Sequence, residues 1–296
     1  MRIAITGSSG LIGSAVRRRL AVKHSIVTVG RSEGADQRAD FADPASVDGV
    51  DLGGCDALVH CAGIVDEDFA DPGKAFRQAT LGMNALVRRA KAAGVPRIVY
   101  VSSVHIYGPL TGNIDENSPP NPLHDYAIAH FASEQTLRRA TNPGLLGLAV
   151  RPCAVFGIPP DFARFRRWGL TPFGFPKAAV EKGEIVLASY GRQRRNFVGT
   201  EDVASAIDRW LEQERPAAEF MAVNPIGNQT MSIFDFAQLC GRIAEKITGR
   251  PCRVTRPESP ETHAETFEYT SIHDFARGEM DLAATIELLS RMLAGA

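Results

Sequence analysis

The chain has 296 residues, 44% hydrophobic and 23% charged, which suits a globular protein with one large α/β unit or two interleaved ones. A formal net charge of −1 without long blocks of like charge argues against nucleic acid or an anionic membrane as main partner. The expectation is a cytoplasmic protein: no apolar run could cross a bilayer, the start turns polar too soon for a secretion signal, and five cysteines lack pairing or metal-ligand spacing.

Arg2–Thr6 is predicted to be a strand, because Ile3, Ala4 and Ile5 form an apolar run halted by Gly7. Residues 11–23 repeat apolar positions at Leu11, Ile12, Ala15, Val16 and Leu20, the stripe of a buried helix. Within that helix Arg17, Arg18 and Arg19 read as a solvated face. Strands follow at 25–29, 57–60, 97–102 and 146–151, with helices over 76–93 and 125–140. Such alternation predicts right-handed crossovers and a Rossmann-type doubly wound parallel sheet. Beyond residue 155, Pro159, Pro160, Pro172 and Pro176 interrupt 158–177, a loop-rich lid or substrate region that also carries Arg164, Arg166 and Arg167. Helical stripes return at 200–212 and 232–247, the second with Ser232 as its cap. The expected partition is a dinucleotide-binding domain over 1–157, to which 196–222 returns. A smaller substrate-binding region takes 158–195 and 223–296.

Thr6-Gly7-Ser8-Ser9-Gly10-Leu11-Ile12-Gly13 joins the first strand to the first helix. Gly7 permits the sharp turn, Gly10 lets backbone approach a pyrophosphate, and Gly13 lets helix and strand pack closely. The first helical amides and their dipole then face negative phosphates, so Gly7, Ser9, Gly10, Leu11, Ile12 and Gly13 are candidate cofactor contacts. No Gly-Lys-Ser/Thr follows, which disfavours a Walker-type loop. After the second strand Arg31 precedes Glu33; an arginine accommodates a ribose 2′-phosphate, whereas an acid grips a 2′-hydroxyl. The cofactor is therefore NADP or NAD, with NADP favoured.

Further along stand Val99-Tyr100-Val101-Ser102-Ser103-Val104-His105-Ile106-Tyr107-Gly108 and Asp125-Tyr126-Ala127-Ile128-Ala129-His130. Together with the glycine turn, these segments resemble the extended short-chain dehydrogenase/reductases, the NAD-dependent epimerase/dehydratase family. The resemblance, which spans residues 1 to about 250, implies a nucleotide-sugar epimerase-like enzyme. Ser103 would hydrogen-bond the reacting oxygen and Tyr126 would act as acid or base while hydride passes to or from the nicotinamide. It also implies Asp40 and Phe41 beside the adenine. Ala62, from His60-Cys61-Ala62-Gly63, and Pro152, from Arg151-Pro152-Cys153-Ala154, would stand beside the cofactor, as would Tyr126 and His130. Gly191-Arg192-Gln193-Arg194-Arg195-Asn196-Phe197-Val198 resembles the segment whose arginine, here Arg195, binds the substrate diphosphate. Val104 and Ala154 would line the substrate site, and a homodimer would form through the helices at 76–93 and 125–140.

Five positions depart from the family pattern. His130 stands where the family has the lysine of Tyr-x-x-x-Lys; it lies one helical turn from Tyr126 but is shorter and mostly neutral at pH 7. Ala79 and Ala154 stand where asparagines are usual. Val104-His105 replaces the Asp-Glu of dehydratases, which leaves epimerisation or 4-keto reduction of a nucleotide-linked sugar. Two other readings stay open. Ala154 permits an NADP(H)-dependent carbonyl reductase for a substrate without a nucleotide, and His130 with Ala79 permits a non-catalytic dinucleotide sensor.

Overall fold

Ile3, Ala4 and Ile5 are wholly buried, and so are Ala57, Leu58 and Val59, so the first strands are covered on both faces. The computed structural model describes residues 1–257 and 266–295. Its first half contains β1 (Arg2–Thr6), α1 (Leu11–Ala21), β2 (Ser25–Gly30), β3 (Gln37–Arg38), α2 (Pro44–Asp48) and β4 (Ala57–His60). There follow α3 (Pro72–Arg77), α4 (Met83–Ala92), β5 (Arg97–Val101), β6 (Gly112–Ile114), α5 (Asp125–Ala140), β7 (Leu146–Val150) and β8 (Ala154–Phe156). The second half holds α6 (Thr171–Lys182), β9 (Glu184–Val186), β10 (Arg194–Gly199), α7 (Thr200–Leu211), β11 (Phe220–Val223) and β12 (Gln229–Ser232). It ends with α8 (Ile233–Thr248), β13 (Arg253–Thr255), β14 (Phe267–Tyr269) and α9 (Leu282–Ala294).

Seven strands form one sheet in the order β11-β7-β5-β4-β1-β2-β3, and every pairing in it is parallel. The order reverses at β1, between β4 and β2. In open α/β sheets that switch point leaves a crevice beyond the carboxyl ends of the strands. The Rossmann-type doubly wound sheet expected from the alternation is what the chain forms. A smaller three-stranded sheet, β12-β10-β8, sits at the other side of that crevice, with β10 parallel to β8 and antiparallel to β12. Its core contains Phe156, Phe197, Phe236 and Ile286, contributed by β8, β10, α8 and α9.

Three local features differ from the periodicity. The helix expected over 76–93 is α3 and α4 joined by a wider π-type turn, Gln78–Gly82. There a Cβ on Gly82 would lie 1.8 Å from the Phe41 carbonyl oxygen, so only glycine allows the approach. The proline-rich stretch contains α6: Pro172 occupies its first turn, where no amide is needed, and Pro176 costs one interior bond that burial of Phe173, Ala179 and Val180 offsets. Finally, Arg18 and Arg19 are not simply solvated. They pair with Glu201 and the buried Asp208 of α7 at 2.6 and 2.9 Å, fastening α1 to α7.

The tail, which matched little in sequence, is stitched into the body. β14 pairs with β6, and the Tyr269 hydroxyl donates to the Arg151 carbonyl. Asp202 at the start of α7 accepts from the amides of Gly199, Glu279 and Met280. Among the described residues no helix is long and apolar enough to cross a membrane, and no cluster of His, Cys, Asp and Glu could hold a metal.

Candidate active site

The turn after β1 is built for close approach. Gly7 has φ of 65°, and a Cβ there would meet the Ala62 amide nitrogen at 2.7 Å. A Cβ on Gly13 would lie 2.1 Å from the Gly7 carbonyl, so α1 can press on the turn only without a side chain. Gly10 caps α1 without a side-chain bond, leaving the first helical amides to a ligand. Beside this turn runs a cavity of about 390 Å³ lined by Gly7, Ser8, Ser9, Gly10, Arg31, Ser32, Asp40, Phe41, Ala62 and Gln78. Its walls fit the adenosine and pyrophosphate of a dinucleotide: bare amides at one end, a guanidinium at the end of β2.

A second cavity, of about 480 Å³, continues from the same turn. Gly10, Leu11, Ile12 and Gly13 form one wall; Ser102, Ser103, Val104, His105 and Tyr126 form another; Pro152, Ala154, Arg167 and Arg195 complete it. Every residue expected from the sequence lines one of the two cavities, with His130 as the exception. The Ser102 Oγ is buried without any partner and lines this space, a donor left for whatever fills it.

Ser103 follows β5 by two residues and caps the short turn Val104–Tyr107, accepting from the His105 amide at 3.3 Å. Tyr126 sits in the first turn of α5. Burial pushes its phenol up, while hydrogen bonding with Ser103 and the positive field of Arg167 pull it back. The Tyr126 ring packs edge-on to His130 with centroids 4.5 Å apart.

His130 is held differently from a lysine reaching into the cleft. Its Nε2 donates to the Ile64 carbonyl at 3.1 Å, so its Nδ1, 2.7 Å away, accepts from the Tyr100 hydroxyl. Both nitrogens are thus occupied, and burial first of all drives the imidazole down to about 3. The ring is neutral at physiological pH and supplies no charge. Tyr100 is not legible in the sequence as a polar partner: a buried aromatic in β5 looks like core until the partner of its hydroxyl is seen. His60 similarly bonds Thr6 Oγ1 at 2.7 Å, and burial lowers it to about 4.

Other groups are set by burial as well. His105 is brought to about 4 by burial, then by His124 and Arg195. The Cys61 and Cys153 thiols are pushed up to about 12 and about 11 by burial, so neither is a nucleophile at neutral pH. Glu134 receives two bonds from Arg151, at 3.1 and 2.7 Å, in a buried pair that fixes α5 against the end of β7. The three arginines of the stretch 164–167 separate. Arg164 and Arg166 are exposed, whereas Arg167 turns into the cavity.

This geometry meets its counterparts among known proteins. The chain is 28% identical to GDP-6-deoxy-D-mannose reductase of Pseudomonas aeruginosa over 273 residues, 87% of the chain and 86% of that protein. It is 32% identical to UDP-glucose 4-epimerase of Lacticaseibacillus casei over 177 residues, 54% of each. In fold it resembles the UDP-glucose 4-epimerase of Thermotoga maritima solved with UDP-glucose, with a TM-score of 0.80, 17% identity and 98% of both chains covered. RMD from Pseudomonas aeruginosa complexed with NADPH gives a TM-score of 0.77 at 22% identity over 99% of both chains. The family model for the NAD dependent epimerase/dehydratase family matches residues 3–224, and the chain belongs to that family of NAD(P)-using enzymes.

Proposed function

We propose that this enzyme reduces or epimerises a nucleotide-linked sugar, with Ser103 and Tyr126 handling the proton at the reacting oxygen. The observation that carries this reading is the shared cavity: the pyrophosphate turn, the serine–tyrosine pair and Arg195 open into one space. The bare amides of the turn would hold the diphosphate of NAD(P), and the bound nicotinamide would supply hydride exchange. Ser103 would bond the substrate oxygen, and Tyr126 would give a proton to it in reduction or take one in oxidation. Arg195 would grip the substrate diphosphate, with Val104 and Ala154 shaping the space around the sugar. Val104 and His105, standing in place of an acidic pair, support hydride exchange without dehydration.

Arg31 and Ser32 line the adenosine cavity where a 2′-phosphate would sit, which supports NADP over NAD. One relative matched over most of both chains is named a reductase, which supports that preference, although an epimerase is matched over most of both chains as well. Relatives named as nucleotide-sugar enzymes support this reading over a carbonyl reductase or a dinucleotide sensor. We further propose the partition of residues 1–157 and 196–222 for the dinucleotide against 158–195 and 223–296 for the sugar. Cytoplasmic residence and a homodimer belong to the same reading; Leu81 and Ile128, 58% and 41% exposed beside α4 and on α5, support the dimer.

The test compares wild type with Tyr126→Phe, using nicotinamide absorbance on GDP- and UDP-linked sugars and their 4-keto forms. Turnover should fall by about 10²–10⁴-fold while the thermal shift given by the dinucleotide persists. No thermal shift with oxidised or reduced dinucleotides would end the proposal.

A further inference from the structure

A phenol that exchanges protons near neutral pH needs a positive charge close by, because its ordinary pKa is about 10. The residue one turn along α5 does not provide it, since His130 is neutral and engaged at both nitrogens. Among the described residues lining the catalytic cavity, the permanent cations are Arg167 and Arg195. They serve different walls. The Arg195 Nη1 turns back to the Arg194 carbonyl at 2.7 Å, and its field acts on His105 and Cys153.

Arg167 comes from the segment before α6 and crosses the mouth of the cleft. Its Nη2 lies 3.3 Å from Asp66 Oδ2, and its Nε lies 3.6 Å from Glu67 Oε2, beyond hydrogen-bond length. That Nε is buried and makes no hydrogen bond, an unused donor on a charged group lining the cavity. Its side chain is 26% exposed, so its field is less screened than that of a surface arginine.

We propose that Arg167 is the cation that poises Tyr126 for proton transfer, the part a lysine at position 130 would otherwise play. Arg167 acts through Tyr126 and is a positioning residue; the proposal rests on the reading of Tyr126 as acid and base. The two acids pair with the guanidinium, Asp66 within the same cavity, and they also oppose it: Asp66 and Glu67 push the Tyr126 phenol up while Arg167 draws it down. The other groups around the phenol are the Ser103 hydroxyl and the rings of His105, His124 and His130. His105 and His130 are held low by burial and carry no charge at neutral pH. The charge then comes from the segment before α6 instead of from α5 itself.

The experiment needs no substrate. The phenolate absorbance of Tyr126 is read as the difference between a protein and its Tyr126→Phe counterpart during an alkaline titration. It is taken in the wild-type, Arg167→Met and Arg167→Lys backgrounds, within the pH range where far-ultraviolet circular dichroism holds. In Arg167→Met the Tyr126 phenolate fraction at a fixed pH below the midpoint should fall about 3–10-fold, and Arg167→Lys should restore most of it. Equal Tyr126 signals in wild type and Arg167→Met would overturn the proposal. So would a Lys variant that behaves like the Met variant, because lost packing and not lost charge would then be the cause. Failure of the acid–base reading shows elsewhere, as unimpaired turnover in Tyr126→Phe.

Discussion

The turn after β1 and the first three turns of α5 meet at one cleft, yet their residues are constrained in opposite ways. The turn is defined by what is missing: side chains at Gly7 and Gly13 would collide with backbone that cannot move. The face of α5 is defined by what is present. Tyr126, His130, Ser133 and Glu134 each take a specific polar partner from outside α5. Exclusion of this kind is written in local spacing, whereas satisfaction of buried polar groups depends on residues far away in the chain.

The largest expected effect comes from filling the turn. Gly13→Val should abolish the thermal shift produced by NAD(P) and lower unfolding stability by about 3 kcal/mol or more, read by denaturant melts with and without dinucleotide. A variant that still binds would mean the turn is looser than the 2.1 Å approach implies.

Acid should then weaken the network of buried rings. His60, His105 and His130 have folded values of about 4, about 4 and about 3, below the usual 6.5. Between these limits the unfolded chain binds protons that the folded one refuses, so their contribution is present above 6.5 and lost as pH falls. From pH 6.5 to 5.5 the loss should approach about 3 kcal/mol if all three contribute, measured by urea unfolding at each pH. Stability that is flat across that interval would contradict the neutral, buried rings.

His130→Ala is the next step down. It strands the Tyr100 hydroxyl and the Ile64 carbonyl, and should cost about 2 kcal/mol in the same unfolding assay with the dinucleotide shift intact. His130→Lys sharpens the comparison. An ammonium placed there gains the Ile64 carbonyl and adds its field to that of Arg167 at Tyr126, so a higher rate would show that the cleft accepts a second cation beside the phenol.

The smallest effect belongs to the edge of the turn. Arg31→Ala should weaken NADP(H) about tenfold, close to 1.4 kcal/mol, and leave NAD(H) unchanged in calorimetric titrations. Equal losses for both would assign the arginine to a contact other than the 2′-phosphate.

Much of this molecule was legible before any coordinates. The strands at 57–60 and 97–102 announce themselves because parallel sheets covered on both faces need continuous apolar runs. The glycine spacing did the same for the pyrophosphate turn. His130 was recognised as a departure, but its state was not, because Tyr100 lies 30 residues back and Ile64 lies 66 back along the chain. The same distance problem hid Arg167. In sequence it belongs to a run with Arg164 and Arg166, and only the path of the lid shows that one of the three turns inward. α6 was obscured for another reason. Prolines argue against helix when counted, but Pro172 falls in the first turn, where the rule does not apply.

The stitching of the tail has its own consequence for handling the protein. β14 borders β6, which lies just past the turn that Ser103 caps, and Tyr269 ties the same strand to the carbonyl at Arg151, next to Pro152 in the cleft wall. Cutting the chain before Phe267 would bare the edge of Gly112–Ile114 and release the bond to Arg151 beside the cleft wall. A shortened version made to ease crystallisation should therefore keep the chain at least through Tyr269.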